Sequence, residues 1–262
     1  MGRSARNKIA RQKRILEELQ RNAAVRVGDL AEVFGVSGET IRRDLAELGS
    51  EGAVNRTYGG AVVKPILQEP EWRARHDVYP EERRAIAART IGLISPGDVV
   101  IMEVGSTMMH LAEALAANSR DLSVITSSLD VALTLGRNDS ITVHLCPGVL
   151  DSREASVIGN DTVAYLQRFN ATIAIVGSTG ITSEGLQESH IGIAAIKCAM
   201  LARAKTRVAI LDRSKFGQTG MVTACPLSDI DTLVTDRAPH GELAAALEQA
   251  GVQVIVAGPV SI

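Results

Sequence analysis

Residues 33–62 read VFGVSGETIRRDLAELGSEGAVNRTYGGAV, and this stretch decides the fold of the N-terminal part of the chain. Gly35 can take the left-handed conformation that ends a helix and turns the chain sharply. Ser37 follows as a helix N-cap, with Thr40 three residues on. The next helix is predicted to bury three residues at i, i+4 and i+7, namely Ile41, Leu45 and Leu48. The pattern is therefore a helix, a glycine turn and a second helix, at about residues 25–44.

Upstream of the turn, the sequence continues the same unit. The helix before Gly35 is expected to present one apolar face, formed by Leu30, Ala31, Val33 and Phe34. Val25–Val27 is short and β-branched, which favours a brief strand ahead of that helix. A first helix ending near Arg21 is indicated by apolar residues at helical spacing: Ile9, Ile15, Leu16 and Leu19.

The second helix of the turn leaves a polar face near its N-terminus, where Gly38, Glu39, Arg42 and Arg43 point outward. A recognition helix presents these positions to base edges in the major groove, and arginine can bond guanine or grip phosphates there. The alternative is an ordinary three-helix packing unit with a solvated arginine pair. The spacing favours double-stranded DNA as the partner, with the outward face and its cap, Ser37 and Thr40, at the interface.

Downstream, residues 53–63 predict two short strands around a Gly-Gly turn. Such a hairpin beside a recognition helix is a wing, and it would place Arg56 and Tyr58 near the sugar-phosphate backbone.

Charge is distributed unevenly along the chain. Residues 1–64 hold 12 Lys/Arg against 8 Asp/Glu, a net charge of +4, whereas the other 198 residues hold 16 against 22, a net charge of −6. A basic end on an acidic chain indicates a polyanionic partner for that end, although a short basic run is more often a solvated tail.

The length of 262 residues favours two unequal domains. No apolar run approaches the roughly 20 residues needed to cross a bilayer, and the basic, polar start differs from a signal peptide. Three cysteines, Cys146, Cys198 and Cys225, are far apart in sequence and are expected to be reduced, buried thiols in a cytoplasmic protein.

A proline-containing stretch separates the two predicted domains. Pro65, Pro70 and Pro80 bracket a polar segment that holds the single tryptophan, Trp72. The expected boundaries are residues 1–64 for the DNA-binding domain, 65–82 for the linker and 83–262 for an α/β domain. Trp72 is either a contact between domains or a simple core residue.

The larger domain alternates apolar strands with helices, which predicts an α/β fold with a mostly parallel sheet covered on both faces. Helices are expected at Met108–Ala117, Leu129–Leu135, Val163–Arg168, Ile193–Ala204 and Glu242–Gln249. The expected strand cores are Val99–Met102, Val124–Ile125, Val143–Leu145, Ile173–Val176, Val208–Leu211, Leu233–Val234 and Val254–Val256.

Small hydroxyl residues follow several of these strands, at the sheet edge where such folds bind ligands. Free amides and hydroxyls at helix N-termini can hold an anion, and Lys215 could add a positive charge. Each turn alone is more often a routine cap, but together they favour a phosphate-bearing ligand. The candidate residues are Gly105, Ser106, Thr107, Thr126, Ser127, Ser128, Gly177, Ser178 and Lys215.

The segments quoted above, with IMEVGSTMMHLAEAL, VITSSL, IVGSTGITSEGL, IKCAM and LDRSKFG, resemble DeoR-type bacterial transcription regulators over nearly the whole chain. The resemblance implies a winged helix-turn-helix and a sensor domain related in fold to ribose-5-phosphate isomerase. It also implies a homo-oligomer, at least a dimer, that represses carbohydrate genes and responds to a sugar phosphate. Gly105-Ser106-Thr107, Ser127 and Lys215 fall on the effector motifs of the family, and no cofactor is implied.

Departures from the family pattern leave the effector's identity open. Where the family often has His, Asp, Asn, Gly-Gly, Asp and Glu, this chain has Tyr58, Glu103, Ser127, Pro147-Gly148, Thr172 and Ile193.

A sugar-phosphate isomerase is the competing interpretation, with Glu103, Glu184, Glu188 and Lys215 as the available groups. Gly177–Gly180 stands where the related isomerase carries acidic residues, which favours binding without turnover. The five histidines are scattered in sequence without metal-ligand spacing, so we expect no metal site; His110 or His190 could line a pocket.

Overall fold

The computed structural model describes residues 24–50, 54–57, 60–63, 72–118 and 121–258, together with 8, 11, 12, 14, 15 and 18. For residues 24, 49, 50, 54–57, 60–63, 73 and 74 the description covers the backbone alone. The predicted boundary at residues 64 and 65, and the predicted contacts of Tyr58 and of the Arg56 side chain, lie outside this part of the chain.

The N-terminal unit is a winged helix-turn-helix, as predicted. Strand β1 (Ala24–Arg26) precedes helices α1 (Val27–Phe34) and α2 (Gly38–Ser50), and the wing strands are β2 (Val54–Thr57) and β3 (Gly60–Val63). The three strands form an antiparallel sheet in the order β1-β3-β2. Gly60 lies in a strand rather than in the predicted Gly-Gly turn. Of the expected first helix, residues 8, 11, 12, 14, 15 and 18 are helical, while Ile9, Leu16 and Leu19 are outside the described residues.

The turn between α1 and α2 forms by the expected chemistry. Gly35 has φ 62°, a left-handed value that is strained for residues with a Cβ, and its amide bonds back into α1. Ser37 caps α2 because its Oγ accepts a hydrogen bond from the Thr40 amide at 3.3 Å. The expectation that Val33 belongs to the apolar face is wrong, since it lies on the solvent side of α1 and is 58% exposed. The small core holds Ile15, Val27, Leu30, Ile41, Leu45 and Leu48.

The larger domain is built on a seven-stranded parallel sheet. Its strands are β4 (Val99–Met102), β5 (Leu122–Thr126), β6 (Ile141–Leu145), β9 (Ala171–Val176), β12 (Ala204–Ile210), β14 (Thr232–Thr235) and β15 (Gln253–Val256). Their order across the sheet is β15-β14-β12-β9-β4-β5-β6, and each of the seven predicted strand cores lies on one of them, although β12 ends one residue before the predicted Leu211. Successive residues face opposite layers: Val100 and Met102 join one apolar cluster, whereas Ile101 joins the other. Both faces of the sheet are therefore buried, as the continuous apolar runs predict.

Helices cover the sheet at nearly the predicted places. They are α5 (Ser106–Ala116), α6 (Leu129–Leu135), α7 (Asn160–Leu166), α8 (Ile191–Leu201) and α9 (Gly241–Gln249). The helix predicted to run to Ala204 ends at Leu201, because β12 begins at Ala204. In the described part of the chain, no helix has the length and apolar character needed to cross a membrane.

The second half of the predicted linker is structured. Helix α3 (Trp72–His76) and helix α4 (Pro80–Ile91) lie there, with Pro80 in the first turn of α4, where its missing N–H costs nothing. Trp72 packs against the core cluster of the α/β domain, which fits the core interpretation of this residue.

The sequence pattern missed two smaller structures. A hairpin of β7 (Val149–Asp151) and β8 (Ser156–Ile158) follows β6. A three-stranded antiparallel sheet is formed by β10 (Gly180–Thr182), β11 (Gly185–Glu188) and β13 (Val222–Cys225). Each of these strands has only three or four residues, which is too short for alternation to give a clear signal, and β13 joins its sheet from a distant part of the chain.

Candidate functional site

The outward face of α2 carries two exposed arginines, as predicted. Arg42 and Arg43 are exposed, and Glu39 lies 3.5 Å from the first guanidinium and 3.6 Å from the second. Exposed pairs of this kind contribute little to stability, so both guanidinium groups can exchange Glu39 for another anion. The inner side of α2 is fixed by Asp44, which is buried and lies 2.5 Å from Arg11 Nε.

The strand order creates a cleft in the larger domain. The chain leaves β4 towards β5 and β6 on one side, then returns to β9 and continues through β12, β14 and β15 on the other. The carboxyl ends of β4 and β9 therefore form the point where the direction of strand addition reverses, which is where open α/β sheets bind ligands. A cavity of about 260 Å³ lies at this point.

Six of the nine predicted effector residues line this cavity. They are Gly105, Ser106, Thr107, Gly177, Ser178 and Lys215. Thr126, Ser127 and Ser128 are buried but are not among the lining residues that the structure describes. They follow β5, one strand away from the reversal, and Ser128 instead caps α6 by accepting a hydrogen bond from the Val131 amide at 3.2 Å. The geometry of Ser128 is therefore that of an ordinary helix N-cap.

The N-terminus of α5 opens into the cavity. Gly105, at φ 133°, precedes the helix and supplies no side-chain cap, while Ser106, Thr107 and Met108 line the cavity wall. The first amides of a helix have no partner within it and carry a partial positive charge. This end of the cavity is suited to an anion.

A buried lysine holds two carboxylates of the cavity wall, Glu103 and Glu188. Lys197 Nζ lies 2.7 and 2.6 Å from the two oxygens of Glu103 and 3.1 Å from Glu188. It also donates to the Gly177 carbonyl at 2.6 Å, and the Gly177 amide donates to Glu103 at 2.9 Å. Sequence reasoning missed Lys197, although a lone charge inside the apolar helix Ile191–Leu201 was an available signal.

The ionisation of this cluster follows from burial and mutual charge. Burial raises the pKa of Glu103 to about 7, against the opposing effect of the Lys197 ammonium. Burial alone would lower the pKa of Lys197, but the Glu103 and Glu188 carboxylates outweigh it and raise that pKa. The lysine therefore stays charged, and Glu103 takes up a proton near neutral pH.

Arg83, on α4, connects the cavity wall to helix α3. Its Nε donates to Asp212 at 2.9 Å, and its Nη1 donates to Ser106 Oγ at 2.9 Å and to the Arg75 carbonyl. Although burial opposes ionisation of Asp212, the charge of Arg83 and the hydrogen bond from Ser214 hold the pKa of that carboxyl below its usual value. Arg75 itself lines the cavity and forms an ion pair at 2.6 Å with Glu154, on the β7–β8 turn.

The histidines are less scattered in space than in sequence. His190 lines the cavity, and its Nδ1 accepts a hydrogen bond from the Gly192 amide at 3.1 Å. His110 does not line it; its ring stacks on that of His76 at 4.3 Å. Potential ligand atoms of His76, His110 and Glu113 lie within 4.8 Å of one another, a grouping that the spacing of the histidines in the sequence did not indicate. Because the two rings are parallel, their lone pairs cannot both point at one ion without a rotation.

Two cysteines also depart from expectation. Cys198 is exposed rather than buried, and its sulfur lies 3.2 Å from that of Cys225. Cys146 is buried, as expected.

A winged helix-turn-helix joined to a parallel α/β domain with a cleft at its strand reversal is the architecture of a ligand-responsive DNA-binding regulator. The chain matches the DeoR-like helix-turn-helix domain over residues 11–65 and the DeoR C terminal sensor domain over residues 79–237. It therefore belongs to the DeoR family of transcription regulators.

Its relatives include proteins named as repressors. The chain is 30% identical over 243 residues to the HTH-type transcriptional repressor GlcR of Bacillus subtilis, covering 92% of this chain and 93% of that protein. It is 32% identical over 226 residues to the glycerol-3-phosphate regulon repressor of Escherichia coli, covering 86% and 89%.

Similarity to solved structures is weaker. Ribose 5 phosphate isomerase A from Neisseria gonorrhoeae has a TM-score of 0.38 at 18% identity, covering 51% of this chain and 52% of that one. The probable sor operon regulator from Shigella flexneri has a TM-score of 0.40 at 17% identity, covering 68% and 90%. Scores of this size support no statement about function.

Proposed function

We propose that this regulator is a repressor of carbohydrate genes whose affinity for operator DNA falls when a phosphorylated sugar, or a related metabolite, occupies the cavity of the larger domain. The observation that carries the proposal is the composition of that cavity, which combines an open helix N-terminus and cations with carboxylates and hydroxyls. The relatives named as repressors, one of them of a glycerol-3-phosphate regulon, support the same direction of control.

The phosphate is proposed to lie at the N-terminus of α5. The amides of Ser106, Thr107 and Met108 provide donors there, and Lys215 adds a charge from the end of β12. A phosphate held by helix amides and a lysine needs no metal.

The hydroxyl-bearing end of the ligand is proposed to face Glu188 and the hydroxyl groups bonded to it. Glu188 accepts hydrogen bonds from Ser178 at 3.3 Å and from Thr179 at 3.2 Å, so these groups already form a connected polar surface. Carboxylates accept hydrogen bonds from sugar hydroxyls, and hydroxyl groups can both donate to them and accept from them, whereas an apolar wall can do neither. A ligand with one phosphate and several hydroxyls can therefore bond both the α5 N-terminus and the polar groups around Glu188.

Coupling to the DNA-binding domain is proposed to run through Arg75. Helix α3 lies between the two domains in sequence. Its Arg75 side chain forms an ion pair at 2.6 Å with Glu154, and both residues line the cavity. A bound phosphate would compete with Glu154 for this guanidinium. Because Arg83 bonds both Ser106 and the Arg75 carbonyl, a shift at the cavity would move α3 as well. Such a differential contact is what allows a ligand to change the population of two states.

On the DNA side, we propose that a homodimer or higher oligomer places two copies of α2 in successive major grooves. Arg42 and Arg43 contribute base or phosphate contacts, with Ser37, Gly38, Glu39 and Thr40 at the same edge and Arg56 and Tyr58 on the wing.

We infer binding without turnover rather than isomerase activity. A general base needs a free oxygen directed at the substrate, whereas both oxygens of Glu103 already accept hydrogen bonds. Glu184, another candidate base, is not among the cavity residues. Mixing the purified protein with a panel of sugar phosphates and monitoring product by mass spectrometry tests the absence of turnover directly. Catalytic conversion of any of these sugar phosphates would overturn the inference.

The test of the regulator is a fluorescence-anisotropy titration with DNA from upstream of its own gene, repeated with a panel of sugar phosphates. We expect saturable binding that one compound weakens. Arg42→Ala and Arg43→Ala should each remove DNA binding, whereas Arg89→Ala, an exposed helical arginine of the larger domain, should not. Lys215→Ala should retain DNA binding and lose the effector response, with exposed Lys205→Ala as its matched control.

Two outcomes would contradict the proposal. Binding that survives both arginine substitutions would remove α2 from the interface. An effector response that survives Lys215→Ala would place the phosphate elsewhere.

A further inference from the structure

Helix α8 and strand β13 bring together two thiols that the proposed function does not use. Cys198 lies on α8 and Cys225 ends β13. Their sulfurs are 3.2 Å apart, and the Cys198 thiol also donates to the Ala224 carbonyl at 3.0 Å. A disulfide requires about 2.05 Å between sulfurs, so closing the pair needs a movement of roughly 1 Å.

The two thiols differ in access. Cys198 is exposed, whereas Cys225 is 1% exposed beneath it. Burial raises the pKa of Cys225, and the neighbouring Cys198 raises it further, so this thiol remains protonated at neutral pH. An oxidant in solution can therefore reach Cys198, whereas the buried Cys225 is placed to attack the Cys198 sulfur once that sulfur has been oxidised. This division matches the attacking and resolving roles of a redox pair.

We propose that Cys198 is an oxidative modification site that reacts with hydroperoxides and then forms a reversible disulfide with Cys225. In the first step the Cys198 thiolate attacks one oxygen of the peroxide; the S–O bond forms, the O–O bond breaks, and the leaving oxygen takes a proton as water or an alcohol. In the second step the Cys225 sulfur attacks the Cys198 sulfenic acid; the S–S bond forms, the S–O bond breaks, and the leaving hydroxide takes the Cys225 proton as water. Two thiols are oxidised by two electrons in total, and one hydroperoxide is reduced.

The position of the pair gives the modification a structural consequence. Lys197 precedes Cys198 on α8, and Leu186 pairs with Cys225 across β11 and β13, two residues before Glu188. The disulfide would therefore tie α8, which carries Lys197, to β13, the strand paired with β11, and β11 supplies Glu188 to the Lys197–Glu188 contact at 3.1 Å. Disulfides in reducing compartments are usually transient and redox-sensing, which fits a bond that forms only under oxidation.

The test treats the full chain with hydrogen peroxide, unfolds it, alkylates the remaining thiols with N-ethylmaleimide and measures the intact mass. Of the three cysteines, we expect one alkylated thiol after oxidation and three after subsequent reduction with dithiothreitol. Peptide mapping should show Cys198 joined to Cys225, and a non-reducing gel should show a monomeric chain.

Variants separate the roles of the cysteines. Cys198→Ser, at an exposed position that the fold tolerates, should leave two alkylated thiols with and without peroxide. Cys225→Ser should stop at a sulfenic acid on Cys198, detected as a dimedone adduct. Cys146→Ser is the matched control and should still form the disulfide, because burial raises the pKa of the Cys146 thiol to about 12 and keeps it unreactive. Three alkylated thiols after peroxide treatment, a bond to Cys146, or a disulfide found only between chains would each overturn the proposal.

Discussion

The buried lysine at the cavity wall gives a prediction whose size follows from the structure. In Lys197→Met the side-chain volume is nearly kept, but Glu103 and Glu188 lose their common counter-charge and the Gly177 carbonyl loses a donor. Removing one partner from a buried ion pair costs about 3–5 kcal/mol, because the remaining charge is uncompensated. We expect a loss of unfolding free energy in that range at pH 8.

The cost should depend on pH. The Lys197 ammonium lowers the pKa of Glu103, so without it Glu103 should keep its proton to a pH above the pKa of about 7 that it has in the intact cluster. Between pH 5.5 and pH 8 the destabilisation relative to the parent protein should therefore grow by about 1 kcal/mol. Adding Glu103→Gln to Lys197→Met should recover part of the loss, since it removes one of the two uncompensated carboxylates.

Urea unfolding followed by tryptophan fluorescence measures this directly, because the single tryptophan, Trp72, packs against the core of the larger domain. Lys205→Met, at an exposed lysine of β12, is the matched control and should change stability by less than about 0.5 kcal/mol. If Lys197→Met costs no more than this control, or costs the same at pH 5.5 and pH 8, the reasoning from uncompensated charge is refuted.

Three further predictions rest on single positions. The parent protein should lose stability as pH rises through about 7, because the folded state binds the Glu103 proton more tightly than the unfolded chain, and Glu103→Gln should flatten that dependence in urea titrations across pH 5–8. Ser128→Ala should lower the free energy of unfolding by about 1 kcal/mol through loss of the α6 cap while leaving effector affinity unchanged in calorimetry; a large loss of affinity would restore Ser128 to the binding site. Gly105→Ala should weaken effector binding, because φ 133° is strained for alanine and the start of α5 must shift; unchanged affinity, measured the same way, would remove the α5 N-terminus from the phosphate site.

The helix-turn-helix could be predicted from sequence because each of its decisions is local. Gly35 ends one helix, Ser37 begins the next, and Ile41, Leu45 and Leu48 set the buried face over about two helical turns. Val33 was assigned wrongly because it lies at the edge of the apolar face of its helix. Whether a residue at that edge is buried depends on the elements packed beside it.

The cavity could be predicted only in part. Small residues after β4 and β9 and Lys215 after β12 were candidates because parallel strands share an edge, and the structure places residues from all three turns in the cavity wall. The same logic included residues 126–128 at the end of β5, which the strand order places on the other side of β4 from β9. No local pattern contains that order.

By itself, the sequence determined the winged helix-turn-helix, the seven strands of the parallel sheet and the family, because caps, turns and apolar periodicity act over a few residues. Only the tertiary structure decided which strand ends meet at the β4–β9 reversal, how Lys197 is paired with Glu103 and Glu188, and that Cys198 lies against Cys225. The Lys197–Glu188, Cys198–Cys225 and Lys197–Glu103 contacts join residues that are 9, 27 and 94 positions apart in the chain. Such distances are closed by the packing of whole helices and strands, a property of the complete fold that no short stretch of chain encodes.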